Sequence, residues 1–187
     1  PLATIVPDRT LFITSVSKSL FPGMRLGCVV APPAMLESVS SAVWGSMLCV
    51  SPISGDLLCG WLEDGTAKRI LDWKRHEVAA RQQMAKRLLD GHRLQTITTS
   101  PHIWVHLPAR WTSEGFVAEM RSRGILVNGS AAFSIATSGS AKKAEEASPR
   151  AIRLCLGTPR TRAGLEQALS RIAETLAERA PAARAVV

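Results

Sequence analysis

The stretch Thr14–Pro32, TSVSKSLFPGMRLGCVVAP, decides how this chain is read. Lys18 sits among Ser15, Ser17 and Ser19, and Arg25 follows seven residues later, after Pro22-Gly23. The apolar run that leads into the stretch predicts a short buried strand over Leu11–Thr14. Leu26–Val30 predicts a second strand, ended by Ala31-Pro32-Pro33. The order is therefore strand, S-x-S-K, P-G-x-R-x-G, strand.

Each residue type in that order has a chemical use. A loop lysine is a nucleophile toward a carbonyl once burial or a nearby positive charge lowers its pKa, and Arg25 is such a charge. A guanidinium also grips phosphate through two parallel hydrogen bonds. Ser15 and Ser17 add hydroxyl donors, and Gly23 and Gly27 permit close approach of backbone or ligand. An amine that joins a carbonyl beside a phosphate cradle is what an aldehyde-bearing phosphorylated cofactor requires. Pyridoxal phosphate is such a cofactor.

Working outward, Ala34–Met47 predicts a helix, with Ser51-Pro52 breaking it. Asp56–Glu63 predicts a short helix closed by Gly65, with Thr66 capping a long helix over Ala67–Leu89. In that long helix Ile70, Trp73, Met84 and Leu88 mark the apolar face. Arg69, Lys74, Arg75, Arg81 and Lys86 mostly take the wet side. HIWVHLP alternates as a strand, Thr112–Gly124 reads as a helix, ILV as a short strand and NGSAAFS as a turn. Residues 136–149 read as a surface loop, AIRLCLG as a strand, and Leu165–Glu178 as an amphipathic helix.

The 187 residues carry 46% hydrophobic and 20% charged residues, a globular composition with no apolar run long enough to span a bilayer. Cys28, Cys49, Cys59 and Cys155 are scattered, as expected of buried free thiols in a reducing cytoplasm. With the four histidines they complete no metal pattern, and His102 and His106, on one strand face, suit packing rather than ligation. The tryptophans are expected as core and interface anchors. The net charge of +8 is spread along helical stretches. It fits solvated faces, a phosphate ligand or nucleic acid, but no recognition-helix or RNA-binding signature accompanies it.

The Thr14–Pro32 stretch resembles the lysine segment of fold-type-I pyridoxal-phosphate enzymes, the aspartate-aminotransferase superfamily. The resemblance continues to the end of the chain. PHIWVHLPARW looks like the first strand of that family's small domain, and GILVNGSAAFS like its G-V-x-V-x-P-G-x-x-F turn, with Asn128 where proline is common. AIRLCLG looks like its carboxylate-binding strand and GLEQALSRIAETLAER like its terminal helix. The resemblance implies an α/β fold with a small α+β domain: residues 1–66 a remnant of the cofactor-binding large domain with its parallel sheet, residues 67–187 a connecting helix and small domain. It implies that Lys18 holds pyridoxal 5'-phosphate as an internal aldimine and moves the substrate proton, that Ser15, Ser17 and Arg25 grip the phosphate, and that Arg153 pairs with a substrate or effector carboxylate.

The wording S-K-x-L-F-P-G-x-R-L-G and the WLEDGTAKRILDWKRHEVAARQQMAKRLL helix look most like the MocR type of GntR-family regulator. Such proteins fuse a winged helix-turn-helix domain to an aminotransferase-like sensor of pyridoxal phosphate or an amino compound. That implies a cytoplasmic homodimer that meets DNA only through an N-terminal domain, and binds an amino acid or amine. The alternatives are a free-standing aminotransferase of the aminoadipate or aromatic kind, and a basic nucleic-acid-binding module. The chain opens at Pro1 close to the lysine and holds no tyrosine. The family's upstream phosphate cup, stacking ring and pyridine-nitrogen aspartate are not visible, so a piece of a longer protein is expected, inactive in transamination by itself.

Overall fold

The computed structural model describes residues 1–134 and 149–178. The chain divides into two compact units, Pro1–Lys74 and Arg75–Val187.

In the first unit, β1 (Phe12–Ser15) pairs antiparallel with β2 (Gly27–Val30), in the register Phe12↔Val30 to Ser15↔Gly27. Every residue of both strands is exposed, Ile13 at 71% and Val30 at 61%. The expected burial of the first strand is absent because no layer of this unit covers it. The one-turn helix α1 (Val16–Ser19) follows β1 directly. Helices α2 (Leu36–Met47) and α3 (Pro52–Glu63) come next. Pro52 opens α3 rather than merely breaking α2, since a first-turn proline lacks only an N–H that has no partner there. A small core of Leu20, Met24, Leu26, Leu58 and Ala67 holds the unit, with Trp61 and Ile70 packed against it.

Helix α4 (Thr66–Leu88) begins in this unit and ends in the second. Thr66 is inside α4 rather than its cap: its N–H donates to the Asp64 carboxylate at 2.8 Å, and its hydroxyl accepts from Arg69. Two of the five basic residues expected on the wet side of α4 turn inward. Arg81 is buried, and Lys74 is half-buried with its ammonium on the Leu20 carbonyl.

The second unit is a four-stranded antiparallel sheet in the order β3-β4-β6-β5, comprising β3 (Leu94–Gln95), β4 (His102–His106), β6 (Ala151–Cys155) and β5 (Asn128–Gly129). β4 alternates half-buried and buried residues, so Ile103 and Val105 face the core while His102, Trp104 and His106 face away. Ile152 and Leu154 join the core from β6. Helix α5 (Ser113–Ser122) adds Phe116 and Met120, and helix α6 (Arg162–Ala177) adds Leu165, Leu169, Ile172 and Leu176. Thr112 and Thr161 cap these helices by accepting from Gly115 N–H and Gly164 N–H. The edge strand expected at Ile125–Val127 lies at Asn128–Gly129 instead, inside the expected turn. There the backbone meets Arg153 and Ile152. The surface loop expected over 136–149 lies outside the described residues except for Pro149.

Of the tryptophans, Trp111 is buried at 2%, whereas Trp44 and Trp73 are exposed at 66% and 64%. The four cysteines, expected to be buried, are all exposed free thiols. Among the described residues no helix is long and apolar enough to cross a membrane, and no group of three or more His, Cys, Asp and Glu could hold a metal ion.

Candidate functional site

The first unit gathers Ser15, Ser17, Lys18 and Arg25 through the β1–β2 hairpin. Ser15 is the N-cap of α1, its Oγ accepting from Ser17 N–H at 3.2 Å. The same Oγ lies 3.1 Å from Ser17 Oγ and 3.0 Å from the Leu26 carbonyl, which it can donate to. That carbonyl also accepts from Val16 N–H at 3.3 Å. Leu26 is therefore tied to the turn that carries Lys18, and Arg25 is the residue before it.

Arg25 has φ 51° and ψ 38°, the left-handed region that L-residues with a Cβ seldom occupy. A non-glycine residue held there at a cost of about 1 kcal/mol marks a position where the backbone is shaped for something other than its own stability. Lys18 and Arg25 are both exposed, and neither makes a hydrogen bond or ion pair among the described residues. Lys74, which the sequence did not single out, holds the far end of the same loop through the Leu20 carbonyl, and burial pushes its pKa down. Of the two glycines expected to allow close approach of backbone or ligand, Gly23 has a side chain beside it instead: a Cβ there would fall 2.5 Å from the Phe21 ring. At Gly27 a Cβ would meet Thr14 O at an ordinary 3.5 Å.

Arg153 belongs to the second unit. It lies at the centre of β6, opposite Trp104 on β4 and Asn128 on β5. Directly opposed residues of an antiparallel pair share a face, so Asn128, Arg153 and Trp104 form one row on the face away from the core. The short helix Ser130–Phe133 brings Phe133 over this row. The Arg153 guanidinium carbon is 4.2 Å from the Phe133 ring centroid, and the Trp104 ring meets Phe133 edge-on at 5.2 Å. That short helix is anchored by Ser130 Oγ, 3.2 Å from Ser113 Oγ, which itself donates to Ala151 O at 3.0 Å.

Arg153 Nε is buried and has no hydrogen-bond partner, and no carboxylate pairs with this guanidinium among the described residues. A fixed planar cation with an unsatisfied buried donor is suited to accept an anion. Phe133 and Trp104 were the neighbours that sequence reasoning missed. Their signal was present, as alternation on β4 and as the aromatic of the S-A-A-F turn, but nothing in the sequence told that the two rings would meet over Arg153.

Buried Arg81 donates to the carbonyls of Leu156 and Pro159, each at 2.7 Å, and to Glu77, fixing the segment that leaves β6. Glu77 accepts from Arg162 as well, and the two guanidinium groups hold its carboxyl down at about 2.

No family model matches the chain. In sequence it is 27% identical over 168 residues to the uncharacterized HTH-type transcriptional regulator YdeF of Bacillus subtilis, covering 90% of this chain and 35% of the regulator. It is 25% identical over 134 residues to a second such regulator of that organism, YdfD, covering 68% of this chain and 28% of the regulator. The chain thus spans about a third of the length of the curated relatives it matches. In structure it is similar to LysN, the α-aminoadipate aminotransferase of Thermus thermophilus complexed with N-(5'-phosphopyridoxyl)-L-leucine (TM-score 0.72, 21% identity, 94% of this chain and 44% of that one). It is also similar to the Pyrococcus horikoshii kynurenine aminotransferase in complex with PMP (TM-score 0.71, 20% identity, 90% and 41%). The aromatic aminotransferase of Pyrococcus horikoshii superposes equally well (TM-score 0.72, 21% identity, 90% and 43%). The chain shares the fold of these aminotransferases, and the curated relatives it matches in sequence are HTH-type transcriptional regulators.

Proposed function

We propose that this chain is part of the pyridoxal-phosphate-binding sensor domain of a MocR-type transcriptional regulator, a cytoplasmic dimer whose DNA-reading domain lies elsewhere in the full-length protein. The observation that carries the reading is the hairpin in which Ser15 Oγ bonds both Ser17 N–H and the Leu26 carbonyl, tying the turn that carries Lys18 to the residue after Arg25, in a chain whose relatives are HTH-type regulators.

The donor set fits the cofactor's phosphate and aldehyde. The Ser15 and Ser17 hydroxyls and the Arg25 guanidinium would take the phosphate oxygens, and Lys18 Nζ would hold the aldehyde carbon. When bound, pyridoxal phosphate supplies an electron sink for reactions at an amino acid's Cα. The chain's own residues bind and orient: Arg25 fixes the anionic end, Ser15 ties the turn to Leu26, and Lys18 Nζ is the base positioned to move a proton. Arg153, stacked on Phe133, would take a ligand carboxylate through two parallel hydrogen bonds. These residues include no partner for the pyridine nitrogen, so the chain by itself is expected not to transaminate.

The test is direct. The chain is incubated with pyridoxal phosphate, reduced with borohydride, digested, and the modified lysine located. Modification confined to the Lys18 peptide, and abolished in Arg25→Ala, supports the reading. Labelling scattered over many lysines removes the half-site from this chain. A second reading, a free-standing aminotransferase, is favoured by the enzymes among the structural neighbours. Turnover of an amino acid by the full-length protein would select it.

A further inference from the structure

The charge of this protein is not shared evenly. Residues 1–74 carry six lysines and arginines and six aspartates and glutamates, whereas residues 75–187 carry 17 and nine, so the whole +8 belongs to the second unit. Part of that excess collects at one end of the four-stranded sheet, where β3 begins, β4 ends and β6 begins.

Backbone hydrogen bonds fix the arrangement. His106 N–H donates to the Arg93 carbonyl at 3.0 Å, and Leu107 N–H to the Arg150 carbonyl at 2.8 Å, so the two arginines flank the end of β4 on either side. Arg110 lies in the loop that follows. Arg150 Nη1 donates to Ala109 O in that same loop at 3.3 Å. All three arginines are exposed.

Structural duties account for only part of this rim. Arg110 caps the C-terminus of α6 through the carbonyls of Leu176 and Glu178, which complements the helix dipole and leaves one of its nitrogens without a partner among the described residues. Arg150 spends one nitrogen on Ala109. The Arg93 guanidinium makes no hydrogen bond or ion pair among the described residues. The Glu178 carboxylate, the acid at the end of α6, is already taken by Arg123 at 2.5 Å and 3.1 Å. Arginine cations with unused donors at a fixed spacing are an anion-binding surface.

We propose that the Arg93–Arg110–Arg150 rim binds the sugar–phosphate backbone of double-stranded DNA without reading its bases. The choice of duplex rests on what the rim lacks. Among the described residues, the exposed large apolar residues of the second unit are Ile97, Leu126 and Phe133, none of them in the rim. Stacking on unpaired bases needs aromatic platforms, and insertion into a bilayer surface needs an apolar face. Duplex phosphates need only positioned charge, and they contribute affinity without sequence information. The choice of DNA as the polyanion rests on the proposed regulator reading, in which a DNA-bound protein holds this unit near its operator. It departs from the expectation that DNA is met only through another domain.

The experiment titrates the 187-residue chain into a fluorescent duplex of about two helical turns at a series of salt concentrations. Three phosphate contacts give a slope of log Kobs against log salt of about −2.7, and losing two of them flattens it by about 1.8. The double variant Arg93→Gln/Arg150→Gln is expected to show that flattening, and Arg93→Lys/Arg150→Lys to restore most of the slope. Arg121→Gln/Arg160→Gln, which removes two charges elsewhere in the same unit, is expected to leave the slope near wild type. Equal flattening by both glutamine pairs, no duplex binding at low salt, or tighter binding to single strands or to anionic vesicles would each overturn the proposal. Cofactor labelling at Lys18 is read independently, so loss of labelling with rim-dependent DNA binding retained counts against the sensor reading and not against the rim.

Discussion

Arg25 shows how a site is visible in one residue's backbone. Its φ of 51° places a Cβ where a glycine would be at ease, so the conformation works against stability. Arg25→Gly is expected to raise the stability of the chain by about 0.5–1 kcal/mol while abolishing cofactor labelling at Lys18. Arg25→Ala should abolish labelling without that gain. Chemical denaturation checks it: a destabilised glycine variant would mean that the guanidinium carries contacts that hold the hairpin. The identity of Arg25 as a candidate phosphate ligand was legible from its spacing to Ser15, Ser17 and Lys18. Its left-handed backbone was not, because Pro22-Gly23 offers a glycine two residues earlier as the natural place for a tight turn. Arg153 shows the same division. Its place on a strand could be read from the apolar alternation of AIRLC, whereas the Phe133 ring over it depends on a short helix fixed by Ser113 and Ser130, a contact between distant segments.

At the scale of elements, Glu77 joins α4 to the start of α6 by accepting from both Arg81 and Arg162. Those guanidinium groups hold its pKa at about 2, below the ordinary 4.5. A carboxyl depressed on folding contributes stability that is fully present above its unfolded pKa and is lost as pH falls through its folded pKa. The stability of the second unit is therefore expected to fall between about pH 5 and pH 2. Glu77→Gln should flatten that dependence and cost about 2 kcal/mol near neutrality, because buried Arg81 loses a charge-assisted bond. Thermal melts of both chains across that pH range test it, and parallel pH profiles would remove Glu77 from the account. Helices α5 and α6 were legible from their apolar stripes, whereas their threonine caps were not. Strand β5 was displaced from Ile125–Val127 to Asn128–Gly129. Ile125 and Val127 pack against the hydrophobic centre without their backbone pairing, Leu126 is exposed, and pairing was decided by which residues reach β6. The two-residue β3 carries too short a pattern to register in sequence at all.

For the molecule as a whole, the two units differ in what they bury. The second encloses fifteen core residues between a sheet and three helices. The first has a core of five and leaves Ile13, Val30, Trp44, Leu48 and Ile53 exposed at 61% or more. An isolated two-stranded hairpin is marginal in water, and β1–β2 has neither a third strand nor a covering layer in its unit. The first of its apolar strands was expected to be buried because a strand of that composition is ordinarily inside a sheet. Composition encodes the environment for which a segment was shaped, and the rest of that environment is not supplied by this unit. Amide hydrogen exchange is accordingly expected to be at least about a hundredfold slower in β4 and β6, at Ile103, Val105, Ile152 and Leu154, than in β1 and β2. Exposed apolar strands with free edges also seek partners. The protection of Phe12–Ser15 and Gly27–Val30 is therefore expected to rise with protein concentration while that of the second unit stays constant. Strong, concentration-independent protection of both hairpin strands would show that the first unit is stable as it stands, and that its exposed apolar surface needs no further layer.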